Sequence, residues 1–465
     1  MKENRKSVTI KRKKSASCVE GIMIKIGRDG DPLSFGFSTL ARLISACEME
    51  NYDLKFSEEL SVLAAPFQAG GQTIKNRFCV HPMEGSDALA DGSPSELTIE
   101  RYRRFARGGS GLIWFEAVSV LPEARASASQ LMLTPANLQA FQRLAAMIKE
   151  DGLRANGFAP VVLMQLTHSG RFSKPFGSPQ PIIAYHNSEI DLRHNINPGL
   201  PVVSDDYLAA LPAHFVKTAL LAQEAGFDGV DVKCCHRYLL SELLSAFERT
   251  GPYGGSFENR TRLYIDCVDA IRKMVDENFI VGTRLNGFDA LPAGFACGKP
   301  DYMQPDLTET LALVRLLKVN GVDIFNITTG SPYYNSYVNR PNDVEKTEPP
   351  LLGVARMFGV IGEIQKELGT TPVVGTGYSY LREFIPYAAA GEILAGRCTS
   401  VGLGRMSFAR PDYPKEVLNN SLPPPKKLCI TCGKCAQLLR AGGPSYCAIY
   451  DNKKVNDKIQ RGDLK

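Results

Sequence analysis

Short apolar runs alternate with amphipathic stretches along most of the chain. Eight of the runs contain four to six residues with few polar positions, which is typical of strands buried on both faces. These predicted strands are 78–81, 111–116, 161–166, 229–232, 280–285, 322–327, 372–375 and 399–403. The stretches between them place apolar residues three or four positions apart, which predicts helices. These helices include 138–149, 212–224, 263–275, 307–319, 354–368 and 380–390.

Eight strands that alternate with helices predict an α/β fold, a (β/α)8 barrel. A doubly wound sheet is the alternative, but no G-x-G-x-x-G follows the first strand. We expect three regions: an N-terminal extension over residues 1–62, partly disordered; the barrel over 63–415; and a cysteine-rich segment over 416–465. A short helix is predicted at 38–49, and no function is assigned to the extension.

Charge is concentrated at the N-terminus. The net charge is +5, but residues 1–14 hold seven basic residues and one acidic residue, so the rest of the chain is close to neutral. A basic body suited to nucleic acid is therefore not expected. No run of eighteen apolar residues is present, so a membrane span is not expected either.

Four of the twelve cysteines are crowded near the C-terminus. Cys429, Cys432 and Cys435 form a C-x2-C-x2-C run, and Cys447 follows after eleven intervening residues. In a long chain such crowding is typical of metal or cluster binding in a reducing compartment. We therefore expect a cytoplasmic location.

Proton-transfer groups follow the fourth predicted strand, where Lys233, His236 and Tyr238 lie close together. The carboxyl ends of barrel strands are where such folds place reactive side chains. The dense polar group therefore predicts an active site at this end of the barrel.

Several motifs resemble the old yellow enzyme family of flavin-dependent ene-reductases. Residues 253–260 read YGGSFENR and match the family pattern fully, and 165–171 read QLTHSGR, similar to Q-L-x-H-x-G-R. Residues 233–240 resemble H-x-x-[HN]-G-Y-L-[IL], with Lys233 where the family usually has His and Arg237 where it usually has Gly. The resemblance extends from about Leu63 to Cys447 and implies bound FMN.

The resemblance also implies which residues contact FMN. Pro82 and Met83 would lie against the isoalloxazine ring, Glu84 would occupy the position facing the N5 and O4 edge, and Ala117 would leave room for the ring. Gln165 would meet the pyrimidine edge, and Arg284 would face N1 and O2, where a permanent positive charge stabilises the reduced ring. The alternative for Arg284 is an ion pair with Asp231. The phosphate would be held by Gly375, Gly377, Gly404 and Arg405.

The resemblance assigns the chemistry to three side chains. Tyr238 would donate a proton, and Lys233 and His236 would hydrogen-bond the substrate's carbonyl oxygen. Lysine in place of histidine suggests an anionic or carboxylated substrate. Arg237 would either crowd this pocket or point to solvent. His168 would be either structural or functional, whereas Cys234 and Cys235 are expected to be packing residues.

The C-terminal cysteines resemble those of the subfamily containing 2,4-dienoyl-CoA reductase and trimethylamine dehydrogenase. Cys429, Cys432, Cys435 and Cys447 would hold a [4Fe-4S] cluster, with structural zinc as the alternative. Those relatives continue into a second nucleotide-binding region that the sequence given does not include. Electrons would then come from NAD(P)H or through a separate flavoprotein or ferredoxin.

The main hypothesis is an FMN-dependent enzyme, expected as a homo-oligomer, that reduces an activated C=C bond of a small-molecule substrate. The first alternative is oxidative demethylation of a small N-methylated amine, for which Tyr333 and Tyr334 would enclose the cation. The second is a flavin and iron-sulfur subunit that only transfers electrons between proteins.

Overall fold

Eight parallel strands close into a barrel in the computed structural model, which describes residues 35–345 and 347–451. An antiparallel hairpin, β1 (Phe67–Ala69) and β2 (Gln72–Ile74), precedes the barrel. The barrel strands are β3 (Phe78–Val80), β4 (Leu112–Ser119), β5 (Val161–Thr167), β6 (Gly229–Val232), β7 (Ile280–Asn286), β8 (Ile324–Thr328), β9 (Val373–Gly375) and β10 (Ser400–Leu403). The first strand, β3, pairs with the last, β10, and the predicted (β/α)8 fold is confirmed.

The helices lie between the strands or at the ends of the chain. They are α1 (Leu40–Met49), α2 (Glu96–Arg107), α3 (Leu138–Asn156), α4 (Ser188–His194), α5 (Asp205–Glu224), α6 (Leu239–Leu243), α7 (Phe257–Arg272), α8 (Thr308–Val319), α9 (Ser336–Asn339), α10 (Pro350–Leu368), α11 (Ile385–Leu394), α12 (Arg405–Ala409), α13 (Tyr413–Leu418) and α14 (Lys434–Arg440). The predicted helix at 38–49 corresponds to α1. The predicted disorder concerns the extension, of which residues 1–34 lie outside the described residues.

The interior of the barrel is filled by apolar side chains, and the β1–β2 hairpin contributes to it. Phe67 and Ile74 of the hairpin join Leu112, Trp114 and nearby strand residues in one buried cluster. Gly70 and Gly71 have φ angles of +50° and +77°, which a two-residue hairpin turn requires. The barrel is thus a packed core, and polar side chains are left to gather at its carboxyl end.

The segment that matches YGGSFENR forms the start of α7. The Ser256 hydroxyl accepts the Asn259 backbone N–H, which caps the helix. Arg260 donates to the Leu244 and Gly255 carbonyl groups and pairs with Glu309. The motif therefore fastens α7 to the barrel.

Three helix predictions need correction. Helix α5 begins at Asp205 and not at Pro212, because Ser204 caps it and the proline is accommodated inside the helix. The helix predicted at 380–390 is wrong as a single element: a 3-10 helix, Tyr378–Phe384, kinks at Arg382 (φ +49°) before α11. Helix α2 was not predicted, because its many charged residues obscure the apolar face.

Of the helices in the described part of the chain, none has both the length and the apolar character needed to cross a lipid bilayer.

Candidate active site

A buried carboxylate, Asp231, accepts hydrogen bonds from three neighbouring strands of the barrel. Its Oδ2 accepts hydrogen bonds from Trp114 Nε1 at 2.6 Å and Gln165 Nε2 at 2.5 Å, and its Oδ1 accepts the Arg284 backbone N–H at 2.7 Å. Burial raises the pKa of the Asp231 carboxyl. Asp231 thus links β4, β5, β6 and β7, and it accepts one N–H of the Gln165 amide.

The Arg284 guanidinium does not pair with Asp231. Its Nη1 lies 3.5 Å from the Pro82 carbonyl oxygen, and its buried Nε has no hydrogen-bond partner among the described residues. Asn326 Oδ1, on β8, is likewise buried without a partner there. Such groups are costly to bury unless something else binds them, so they are suited to a polar ligand at the mouth.

His81, directly after β3, is one buried group that sequence reasoning left without a role. Asn326 Nδ2 lies 3.2 Å from His81 Nδ1, and Thr376 Oγ1 lies 3.2 Å from Nε2. Burial, aided by the Arg284 charge, lowers the pKa of His81 well below its usual value, so the imidazole is neutral. A Cβ at Gly402 would collide with this ring, which explains glycine at that position of β10.

Glu84 connects two of the predicted catalytic residues. Its Oε1 accepts from Lys233 Nζ and from Tyr238 Oη, each at 3.0 Å. The Lys233 ammonium also lies 3.8 Å from the centroid of the Tyr238 ring, a cation–π contact. Burial and the neighbouring Glu84 charge raise the pKa of Tyr238 well above its usual value near 10. Tyr238 therefore keeps its proton at neutral pH.

Aromatic rings form one wall around Tyr238. Tyr333 Oη is 3.2 Å from Tyr238 Oη, and the Tyr333 ring stacks on Phe172 with centroids 3.8 Å apart. His194 meets Phe172 edge-on at 5.1 Å. Phe172 follows the QLTHSGR motif directly, and that position was the only signal that could have identified it. The wall suits a flat or apolar substrate.

A strained turn at the end of β6 carries Tyr238 to its position. His236 and Arg237 both have a φ of +64°, in the left-handed region that favours glycine. Arg237 is buried and donates to Asp289 Oδ2 at 2.9 Å, Ser245 Oγ at 2.5 Å and Tyr185 Oη at 2.6 Å. These three hydrogen bonds hold the Arg237 side chain inside the protein. It therefore neither crowds the pocket nor points to solvent.

His236 itself faces Asn339, whose Nδ2 is 3.3 Å from His236 Nε2. Burial and the charges of Arg284 and Lys233 lower the pKa of His236 well below its usual value, so the ring is neutral. A neutral imidazole can still donate one hydrogen bond. The structure thus brings His236, Lys233 and Tyr238 to one end of the barrel, as the sequence predicted.

His168 and the two cysteines after β6 have structural surroundings. His168 Nδ1 accepts the Gly170 N–H at 3.1 Å, and its Nε2 lies 2.9 Å from Tyr207 Oη. Both ring nitrogens are therefore used within the protein. Cys234 and Cys235 are fully buried, and burial raises the pKa of Cys235 to about 11. These thiols are packing residues, as predicted.

The remaining residues predicted to contact FMN lie at the same end of the barrel. Ala117 is inside β4, so this strand is longer than the predicted one, and its carbonyl accepts from Gln130 at 3.3 Å. Gly375 ends β9, and Gly377 has a φ of +107°. Met83 lies beside Gly404, where an added Cβ would be 3.5 Å from its Sδ. Arg405 follows at once and donates to the Pro341 carbonyl at 3.0 Å.

The four C-terminal cysteines line one cavity. Arg405 and Phe408, from the end of the barrel, form part of its wall. Burial raises the pKa of Cys429 to about 12 and that of Cys447 to about 11. In the described residues no three His, Cys, Asp or Glu side chains are arranged closely enough to hold a metal ion. The four cysteines are of the residue type that binds a [4Fe-4S] cluster or zinc, and they line one cavity. Their arrangement in the structure is not that of a complete ligand set.

The cysteine-rich segment is attached to the loops of the active site. The Ser445 N–H donates to the Gly85 carbonyl at 2.7 Å, and Arg440 donates to the Pro332 carbonyl at 3.1 Å. Gly85 follows Glu84 in the chain, and Pro332 precedes Tyr333. The cysteine cavity and the polar mouth are therefore adjacent.

Comparisons with known proteins show what the chain is similar to. The chain is 27% identical over 405 residues to a cinnamate reductase of Clostridium sporogenes, covering 84% of this chain and 58% of that protein. It is 30% identical over 346 residues to an NADPH dehydrogenase of Bacillus pumilus, covering 71% and 95%. The structure of 2-naphthoyl-CoA reductase in complex with 2-naphthoyl-CoA has the same fold, with a TM-score of 0.68 at 20% identity, covering 84% of this chain and 57% of that one.

The first curated relatives are longer than this chain, which spans between 51% and 58% of three of them. The model of the NADH:flavin oxidoreductase / NADH oxidase family matches residues 62–421, which include the whole barrel. The barrel, the residues at its mouth and this match lead to one conclusion: the chain belongs to the NADH:flavin oxidoreductase / NADH oxidase family.

Proposed function

We propose that the protein is an FMN-dependent oxidoreductase that reduces a C=C bond activated by a neighbouring carbonyl group, with NAD(P)H as the electron source. The observation that carries this proposal is the Tyr238 phenol, which is buried at the mouth of the barrel with its proton retained. The names of the related cinnamate reductase and NADPH dehydrogenase support the reaction class and the reductant.

The mouth of the barrel fits the flavin. Arg284 Nε and Asn326 Oδ1 are buried polar atoms without protein partners in the described residues, and they are suited to a ring with polar edges. Pro82, Met83, Glu84, Ala117, Gln165 and Arg284 would surround the ring, and Gly375, Gly377, Gly404 and Arg405 would hold the phosphate. When bound, FMN supplies a hydride to the electron-poor carbon of the alkene.

The protein's own groups supply the proton and polarise the substrate. Tyr238 Oη gives its proton to the carbon next to the carbonyl group, and the tyrosinate takes a proton back from solvent. His236 and Lys233 would donate hydrogen bonds to the carbonyl oxygen, where negative charge develops. The alkene thus gains two electrons and two hydrogens, while one NAD(P)H is oxidised per turnover.

For the cysteine cavity we infer a [4Fe-4S] cluster held by Cys429, Cys432, Cys435 and Cys447. Burial raises the pKa of Cys435, and the positive charges of Arg405 and Arg340 oppose that rise. Contacts from this segment to the chain neighbours of Glu84 and Tyr333 support electron transfer with the flavin. Zinc bound by the same thiolates is the alternative.

Anaerobic purification followed by a visible spectrum and cofactor extraction tests the proposal. We expect one FMN per chain, bleaching by NADH or NADPH, and stoichiometric reduction of an added enone or unsaturated ester. A correctly folded protein that does not take up added FMN would contradict the proposal. Rapid flavin reduction by a protein donor, with no turnover of any alkene, would favour an electron-transfer role.

A further inference from the structure

The positive charge of Lys233 is neutralised within the protein. Its Nζ lies 3.0 Å from Glu84 Oε1, and the lysine side chain is 3% exposed. Glu84 is 19% exposed, so the carboxylate is the more accessible member of the pair. Among the described residues this is the one carboxylate within ion-pair distance of Lys233. The pair therefore presents no net charge to a ligand.

The other titratable groups at the mouth are neutral histidines, one paired arginine, and two arginines that have no carboxylate partner among the described residues. His81, His236 and His194 are neutral at pH 7, because burial lowers the pKa of each below 6.5. Arg237 is paired with Asp289, whereas Arg284 keeps its charge and is the residue proposed to face the flavin ring. Arg340 is grouped with Arg405 and Arg440 beside Cys435, and its charge also acts on His236 and Tyr333.

A substrate carboxylate would have to approach Lys233 beside Glu84. Two carboxylates would then share one buried ammonium. Two negative groups side by side repel each other strongly where little water screens them. A neutral carbonyl oxygen meets no such repulsion. Lys233 has three N–H donors and gives one to Glu84, so a second can reach the carbonyl oxygen.

We propose that Glu84 determines specificity, because it cancels the charge of Lys233 and restricts the site to uncharged acceptors such as unsaturated thioesters, esters and ketones. This inference rests on the proposed ene-reduction and names its substrate class. It also replaces the sequence-based hypothesis that Lys233 favours an anionic substrate, since that hypothesis did not include the Glu84 partner. The aromatic wall of Tyr238, Tyr333 and Phe172 fits the apolar remainder of such a substrate.

Methyl cinnamate and cinnamate differ in charge and also in intrinsic reactivity, since a carboxylate activates the alkene less than an ester does. The change in their ratio between variants therefore isolates the effect of charge. For the wild-type enzyme we expect kcat/KM for the ester to exceed that for the acid at least about tenfold. In Glu84→Gln, which keeps the shape and removes the charge, this ratio should fall at least about tenfold because the free Lys233 now attracts the acid. In the double variant Glu84→Gln/Lys233→Met the gain for the acid should disappear.

Binding of the saturated analogues gives a readout that does not depend on turnover. Calorimetry with methyl 3-phenylpropanoate and 3-phenylpropanoate should show the same change in the ratio of Kd values. Glu189→Gln is the control, since it removes an exposed carboxylate bonded to Tyr334 and should leave the ratio unchanged.

The possible outcomes separate the two claims. If the wild type reduces the acid as well as the ester, or if Glu84→Gln leaves the ratio unchanged, the role of Glu84 is wrong while the ene-reductase proposal stands. If FMN is bound but neither substrate nor any enone is reduced, the proposed function fails first. Should Glu84→Gln not fold, Glu84→Ala takes its place, and the ratio of Kd values for the two saturated analogues decides the question.

Discussion

Arg284 donates its backbone N–H, and not its guanidinium, to the Asp231 carboxylate, at a distance of 2.7 Å. The carboxylate is instead saturated by Trp114, Gln165 and this N–H. The guanidinium therefore remains at the mouth of the barrel, with a buried Nε that has no partner in the described part of the chain. The relationship separates the structural role of Asp231 from the proposed cofactor role of Arg284.

Replacing Arg284 with Met should weaken FMN binding. A hydrogen bond to a charged group contributes about 1.5–3 kcal/mol, so we expect the Kd for FMN to rise about tenfold to a hundredfold. Fluorescence titration of the apoprotein with FMN measures the change. The exposed Arg315→Met, which removes a surface pair with Glu367, should bind FMN as the wild type does. Equal affinities for all three proteins would refute the assignment.

Asp231→Asn should destabilise the fold. The asparagine NH2 cannot accept hydrogen bonds, so either the Arg284 backbone N–H or the Trp114 and Gln165 donors lose their acceptor, at a cost of roughly 1–3 kcal/mol. Urea unfolding followed through Trp114, the one tryptophan of the chain, reports the change directly. The exposed Asp206→Asn serves as the control. A variant as stable as the wild type would show that the network can rearrange.

Tyr238→Phe should abolish most of the proton delivery while leaving reduction by NAD(P)H unchanged. General acid catalysis contributes about 10²–10⁴-fold, so we expect alkene reduction to slow by that order. Stopped-flow measurements separate the two half-reactions. Tyr333→Phe removes only the 3.2 Å partner of Tyr238, and its effect should be below about tenfold. If the two variants slowed alkene reduction equally, Tyr238 would not be the unique donor.

Cys435→Ser should lower the metal content of the protein. Four thiolates are needed for a complete cluster or zinc site, so removing one weakens the whole site. Metal and acid-labile sulfide analysis on anaerobically prepared protein distinguishes iron from zinc. Cys297→Ser, outside the cysteine cavity, should retain the wild-type content. Zinc without sulfide in the wild type would replace the cluster proposal by a structural metal.

Glu392 should make stability depend on pH. Burial raises its pKa from 4.5 to about 7 in the folded protein, although Arg397 opposes the shift. The folded state therefore binds more protons than the unfolded state between pH 4.5 and 7, and stability falls as pH rises through this window. Across this window the shift at Glu392 lowers the free energy of unfolding by roughly 3 kcal/mol. Urea midpoints across this range should fall in the wild type, and Glu392→Gln should reduce the decline. A wild-type stability that rises with pH there would require other groups to dominate.

The barrel was predictable from sequence, because strands buried on both faces appear as apolar runs. The pairings that shape the site were not predictable, since they join distant positions. Glu84 and Lys233 are 149 positions apart, and Arg237 and Asp289 are 52 apart. Local patterns cannot show such partners, so Lys233 was interpreted as a free charge. Helix α2 was missed for a related reason: its Arg101 is neutralised by Asp87 and Glu116, which lie outside the helix.

The closure of the barrel between β3 and β10 has a consequence for biosynthesis. The Ser400 hydroxyl donates to the Arg77 carbonyl across 323 positions of the chain. The barrel therefore cannot close until β10 has left the ribosome. Until then, the edge of β3 stays unpaired during translation. We therefore expect the nascent chain to depend on chaperones until its final strand emerges.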